Sequence, residues 1–92
     1  MKRYRFVVDA QVIDYFDCLT KRERGRLLDI FDQLAEFPNV EGDTRITDES
    51  GRANEVKDFG VWRVTFWVDG PVHEMRIADV ERLSPRSKRR KS

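Results

Sequence analysis

The sequence predicts a small α+β domain in which two helices pack on one face of an antiparallel sheet. Helical patterns occupy residues 10–38, whereas strand patterns dominate residues 54–80. Helices and strands that are grouped along the chain, rather than alternating, are typical of this fold class. The 92 residues allow one domain with its own core. We place this domain at residues 1–83 and a basic, disordered tail at residues 84–92.

The N-terminal part predicts a strand followed by a helix. In residues 4–8, Tyr4, Phe6 and Val8 fall on one face of an extended chain. Asp9 then has the position of an N-cap, which accepts the free amides of a helix beginning near Ala10. Helical spacing assigns four residues of this helix to the core: Val12, Ile13, Phe16 and Leu19.

A second helix follows after a short turn, so the two helices form an antiparallel hairpin. Thr20 and Glu23 have the spacing of a capping box, and Pro38 ends the helix. We expect its buried residues to be Leu27, Leu28, Phe31 and Leu34, and the arginines of its first turns to face solvent. Residues 39–52 are polar and predict a long, mobile connection in which only residues 44–47 have strand character.

Residues 54–80 predict a three-stranded meander. Trp62, Val64, Phe66 and Val68 alternate with other side chains in the central strand. Asp69 and Gly70 suit a two-residue hairpin loop, which would set Trp62 opposite Ile77, Val64 opposite Met75 and Arg63 opposite Arg76. The preceding strand turns back at Gly60. If Val56 faces the core beside Val64, Lys57 lies opposite Arg63.

This alignment predicts a basic row on the sheet face that the helices leave open. Lys57, Arg63 and Arg76 would lie side by side on three strands, where like charges repel unless an anion lies above them. The alternative is an ordinary solvated face, on which Glu55 and Glu74 neutralise the cations through diagonal ion pairs.

Composition describes a highly charged chain, with 38% charged residues and a formal net charge of +1. Residues 84–92 contain five cations and no acid, which leaves 13 basic and 17 acidic residues in the domain. The tail could therefore bind nucleic acid, although a solubilising tail has the same composition.

No apolar run is long enough for a membrane span or a signal peptide, so we expect a cytoplasmic protein. Cys18 has no second cysteine for a disulfide or a shared metal.

The order of elements and several short strings resemble the RelE/ParE superfamily of bacterial type II toxins. The matching strings are a helical hairpin that closes with Phe37-Pro38, Glu55-Val56-Lys57, Trp62-Arg63-Val64 and the stretch from Met75 to Val80 followed by Arg82. The resemblance implies a toxin with a cognate antitoxin as partner.

RelE-like members of this superfamily cleave mRNA on the ribosome without metal or cofactor. The resemblance then implies attack of a 2′-hydroxyl on the adjacent phosphodiester, with clustered cations stabilising the transition state. It implies catalytic roles for Arg63, Lys57 and Arg82. RNA contacts would come from Arg76, Arg86, Lys88, Arg89 and Arg90.

Two alternatives to RNA cleavage remain open. ParE-like members share the fold and inhibit DNA gyrase, and no tyrosine follows Val80 here, where many RelE-like nucleases have one. The domain could also be a non-catalytic module that captures a partner through Trp67 and the strand beginning at Asn54. The one histidine, His73, is expected to pack at the sheet edge rather than to act in catalysis.

Overall fold

The computed structural model describes residues 4–38 and 40–83. The predicted tail and the RNA contacts expected of Arg86, Lys88, Arg89 and Arg90 lie outside these residues. The described elements are β1 (Arg5–Val8), α1 (Ala10–Phe16), α2 (Lys21–Glu36), β2 (Thr44–Thr47), β3 (Ala53–Phe59), β4 (Trp62–Asp69) and β5 (Glu74–Arg82).

The α+β class is confirmed, and the strands form one five-stranded mixed sheet with the order β1-β5-β4-β3-β2. β1 runs parallel to β5, whereas the other neighbours are antiparallel. The sheet is therefore larger than the predicted meander. Residues 44–47 belong to it as β2, because the outer edge of β3 has backbone donors and acceptors that a further strand satisfies.

The core lies between the two helices and one sheet face. α2 contributes residues at helical spacing, and β4 and β5 contribute alternate residues. The buried apolar side chains are Val12, Leu27, Ile30, Phe31, Leu34, Ala35, Trp62, Val64, Phe66, Met75, Ile77 and Val80. Ile13 and Leu28 were expected in this core but are 55% and 44% exposed. Each directly follows a buried residue of its helix, and a neighbouring position lies about 100° further round the helix axis.

The helical hairpin is held by its turn. The Thr20 hydroxyl accepts from the Glu23 amide at 3.1 Å and the Glu23 carboxylate accepts from the Thr20 amide at 2.9 Å, so the predicted capping box is confirmed. Arg24 was expected to face solvent. Its guanidinium instead donates to the carbonyls of Phe16 and Leu19, both at 3.1 Å, and thereby ties the start of α2 to the end of α1.

The predicted pairing of β4 with β5 is wrong, although the apolar faces still coincide. The hairpin loop has four residues, Gly70 to His73, because Asp69 lies opposite Glu74. Phe66 then lies opposite Ile77. A β-bulge between Thr65 and Phe66 shifts the rest of the strand, so that Val64 lies opposite Val80.

The predicted pairing of β3 with β4 is also wrong, by one residue. Gly60, with φ 65°, and Val61 form a two-residue turn that sets Phe59 opposite Trp62. Lys57 consequently lies opposite Val64, whose side chain is in the core. Because strand side chains alternate, a shift of one residue moves each of them to the other face.

Replacing Phe66 by Ala should lower the free energy of unfolding by about 3 to 5 kcal/mol, because the side chain is fully buried and leaves a cavity. Urea unfolding followed by tryptophan fluorescence would measure this. Ile13→Ala is the control, since the exposed side chain predicts a change within about 0.5 kcal/mol. Equal losses in the two variants would contradict the assignment of the core.

Candidate functional site: the open sheet face

Arg63 lies on the open sheet face, which is the sheet face away from the helices. Its guanidinium makes two hydrogen bonds to the Asp58 carboxylate, Nε to Oδ1 at 2.8 Å and NH2 to Oδ2 at 3.2 Å. This contact lowers the pKa of Asp58 and raises that of Arg63. In β5, Glu81 lies opposite Arg63.

Arg63 stands in a cleft of about 320 Å³, which we call the acidic cleft. Four carboxylates and one guanidinium line it, together with small and apolar side chains. Its charged lining residues are Asp43, Asp58, Arg63, Asp79 and Glu81. The charge around Arg63 is thus negative, opposite to that of the predicted basic row.

Lys57 and Arg82 do not join Arg63 on the open face. Lys57 shares the helix face with Val64, where it lines a groove with Leu34 and Phe37. Arg82 lies opposite Trp62, with its guanidinium carbon 5.3 Å from the ring centre.

Contacts to neighbouring acids hold both of these cations. The Nζ atom of Lys57 is 3.8 Å from the Asp43 carboxylate. Arg82 forms an ion pair with Glu23 in the first turn of α2. The predicted basic row is therefore not formed, because the observed strand alignment separates its members.

Arg76 does lie on the open face, beside Trp67. Its guanidinium carbon is 5.6 Å from the Trp67 ring centre, and that of Arg52 is 3.9 Å away. Glu74 accepts from Arg76 at 3.0 Å and from Arg5 at 2.9 Å, and these hydrogen bonds lower its pKa. The sequence did not identify Arg52 as a site residue. It lies in the polar connection, where no strand periodicity indicates which residues come close to β4.

Asn54 was also missed as a polar residue of the site. It is 2% exposed, and its Nδ2 donates to Asp48 at 3.1 Å. Among the described residues, its Oδ1 and the Nε of Arg76 are buried side-chain atoms without a hydrogen-bond partner. Both residues line a second cleft of about 380 Å³, the Trp67 cleft, which contains Trp67 and Arg52 as well.

Asp48 organises the rim of the Trp67 cleft. Its carboxylate accepts from the Ser50 hydroxyl at 2.6 Å, from the Ser50 amide at 3.0 Å and from the Arg52 amide at 3.0 Å. These hydrogen bonds, with the Ser50 hydroxyl as the largest contribution, lower the pKa of Asp48 from its ordinary value of 3.8 to about 2. The ionised Asp48 carboxylate therefore stabilises the turn that presents Arg52 to Trp67.

The two clefts are continuous, because Ile46, Thr65 and Asp79 line both of them. Carboxylates outnumber guanidinium groups along their walls. The carboxylates are Asp9, Asp43, Asp48, Asp58, Asp79 and Glu81, and the guanidinium groups are Arg52, Arg63 and Arg76. This excess of negative charge disfavours a polyanion over the whole face.

Neither histidine nor tyrosine is among the described residues that line the two clefts. His73 lies at the β4–β5 loop, with its ring centre 5.1 Å from that of Tyr4. Tyr15 packs edge to face with Trp62 on the helix side, and burial raises its pKa. Proton transfer on the open face would thus depend on carboxylates.

Comparisons with protein-family models, with curated proteins and with solved structures found no match to this chain. Within residues 4–38 and 40–83, no helix is long and apolar enough to cross a membrane.

Protonation of Asp48 should destabilise the fold at acid pH. Because its folded-state pKa is below the unfolded value, its contribution is fully present above about pH 4 and is lost as the pH falls through about 2. The stability difference between wild type and Asp48→Ala should therefore shrink over this range, as measured by urea unfolding at several pH values.

The neighbouring exposed acid Glu49 supplies the matched control, Glu49→Ala, for the removal of one surface charge. A wild-type advantage over Asp48→Ala that stays constant down to about pH 2 would contradict the assigned role of Asp48.

Proposed function

We propose that this chain is the toxin component of a type II toxin–antitoxin system and that it acts by binding a protein target rather than by cleaving RNA. The toxin assignment is supported by the resemblance of its sequence strings to the RelE/ParE superfamily. The architecture is compatible with it, since a helical hairpin covers one sheet face and leaves the other open.

We favour a protein target over RNA because Arg63 lies on the open face, whereas Lys57 and Arg82 lie on the helix face. Cleavage by a 2′-hydroxyl needs several positive groups around one phosphorus atom, because extra negative charge develops there in the transition state. On this chain Arg63 is paired with Asp58 and faces Glu81. An RNA phosphate placed beside Arg63 would meet these two carboxylates at close range, which costs binding energy.

DNA gyrase is the protein target that the ParE-like alternative suggests. A protein surface can supply cations for the carboxylates of the acidic cleft and carboxylates for its arginine, whereas RNA supplies anions alone. The cognate antitoxin would be the second protein partner. We assign no metal or cofactor to either interaction.

Ribosome-dependent mRNA cleavage is the second candidate function, and one observation favours it. Arg52 and Arg76 lie beside Trp67, and this combination of guanidinium groups with an indole ring suits an unpaired nucleotide. The base would stack on Trp67, while a phosphate would pair with an arginine. Arg63 lies on the same face, further along β4.

Induction of the chain alone in a bacterium separates the two candidates. We expect growth arrest and inhibition of gyrase supercoiling, with intact 5′ ends on a translated reporter mRNA. Cuts confined to translated codons would overturn the protein-target mechanism and support the nuclease. Absence of both effects, with the folded chain present in the cell, would contradict the toxin assignment.

If codon-specific cuts appear, single substitutions test which face is used. Arg63→Ala should lower the cleavage rate by roughly 100-fold, the usual effect of removing one group that stabilises transition-state charge. Lys57→Ala is the matched control, because this cation lies on the helix face. Equal loss in the two variants would contradict an open-face active site.

A further inference from the structure

We propose that the Trp67 cleft binds an uncharged purine base or nucleoside, which stacks on Trp67 and forms hydrogen bonds with Asn54 on one side and with Arg76 on the other. This ligand differs from the RNA of the second candidate function, because it carries no phosphate. The proposal does not depend on the toxin assignment, which concerns a macromolecular target of the open face.

The side chain of Asn54 supplies a buried hydrogen-bond acceptor. The residue is 2% exposed and lines the cleft, and its Nδ2 donates to the Asp48 carboxylate at 3.1 Å and to the Arg52 carbonyl at 3.3 Å. Both partners are acceptors, so they fix the orientation of the amide and turn its Oδ1 away from them. This oxygen has no hydrogen-bond partner among the described residues. A buried acceptor of this kind costs free energy until a donor reaches it.

Arg76 supplies a buried donor on the other side of Trp67. Its NH1 donates to Glu74 at 3.0 Å, whereas its Nε has no hydrogen-bond partner within the described part of the chain. Trp67 lies opposite Arg76, and the pairing of β3 with β4 brings Asn54 to the other side of Trp67. The acceptor and the donor therefore come from strands that are two spacings apart, about 10 Å at the backbone.

This separation favours a ring system over a single amide group. Hydrogen bonds of about 3 Å at each end leave roughly 4 Å between the donor and the acceptor of the ligand. A carboxamide has its nitrogen and oxygen on one carbon and is too short, whereas a purine carries polar atoms on opposite edges of its rings. A purine also stacks well on an indole, which has the same two-ring shape. The cleft of about 380 Å³ is large enough for one such ligand.

The charges of the cleft favour a ligand without net charge. Three carboxylates and two guanidinium groups line it: Asp9, Asp48, Asp79, Arg52 and Arg76. A phosphate would meet more acids than cations. A cationic ligand would meet the two guanidinium groups beside the indole, and a side chain that carries only donors leaves the Nε of Arg76 unpaired. A neutral base has both a donor and an acceptor and satisfies both buried atoms.

Arg52 covers the indole and has to move when the ligand enters. Its guanidinium carbon is 3.9 Å from the Trp67 ring centre. The backbone of Arg52 is fixed, because its amide donates to the Asp48 carboxylate and its carbonyl accepts from the Asp48 amide, both at 3.0 Å. The side chain is exposed, so its guanidinium can swing outward and stack on the outer face of a bound base. The base then lies between Trp67 and Arg52, where it reaches the two buried atoms.

Titration of the ¹⁵N-labelled full chain with adenosine tests the proposal. The adenine ring has one donor group, the 6-amino group, and its N3 acceptor lies directly across the six-membered ring. We expect saturable shifts of the indole Nε1–H of Trp67 and of the side-chain amide of Asn54, with the indole signal of the buried Trp62 unchanged. N6,N6-dimethyladenosine keeps the ring but has no donor on it. It should bind at least about fivefold more weakly, because the buried acceptor stays unpaired.

A pair of variants tests the role of the donor. Arg76→Met removes the Nε donor and should weaken adenosine binding at least about fivefold. Arg45→Met is the matched control, since it removes the same charge from an exposed arginine of β2 that lies outside the cleft, and it should bind adenosine as the wild type does. Unchanged amide positions elsewhere would verify that both variants are folded.

Three results would overturn the proposal. The first is the absence of saturable shifts at Trp67, and the second is equal binding of adenosine and its dimethylated form or equal loss in the two variants. The third is tighter binding of adenosine 5′-monophosphate than of adenosine, because the ligand would then be recognised through its phosphate, as expected for RNA. Growth arrest and gyrase inhibition are separate measurements, so failure here leaves the toxin assignment unchanged.

Discussion

The alignment of β4 with its neighbours decides which charges this protein presents to solvent. One sheet face has to cover α2, and Val64 and Phe66 are fully buried there. Residues that lie opposite one another in neighbouring strands share a sheet face, so each β3 residue opposite a core residue of β4 also lies on the helix side. Lys57, opposite Val64, therefore lies on the helix side, whereas Arg63 lies on the open face. The chemistry available on the sheet therefore depends on a two-residue turn at Gly60 and Val61.

The pairing of β4 with β5 meets the same constraint through a β-bulge. Ala78 of β5 is the extra residue, since Thr65 lies opposite Asp79 and Phe66 opposite Ile77, and this shift lets Val80 as well as Ile77 reach the core. The four-residue loop and the bulge together set Arg63 opposite Glu81 rather than Arg76. The open face consequently combines ion pairs with an excess of carboxylates over guanidinium groups among the described residues, and a protein surface of mixed charge fits it better than an RNA backbone.

Local patterns in the sequence predict most of the fold. The capping box at Thr20 and Glu23, the α2 stripe and the alternation in β4 each depend on near neighbours. The capping box is confirmed, the stripe is confirmed except at Leu28, and the alternation is confirmed from Trp62 to Phe66. The strand alignments were wrong because they depend on turn lengths. Gly60 and Gly70 indicate where the chain turns but not how many residues each turn contains. Arg52 and Asn54 could not be placed from the sequence, since only tertiary pairing brings that stretch to Trp67.

The alignment of β3 with β4 is tested most directly by cross-strand nuclear Overhauser effects in the full chain. We expect backbone contacts that set Lys57 opposite Val64 and Val56 opposite Thr65. Contacts that instead set Lys57 opposite Arg63 and Val56 opposite Val64 would return both cations to one face. That result would contradict the separation of charges described above and would favour the nuclease over the protein-target mechanism.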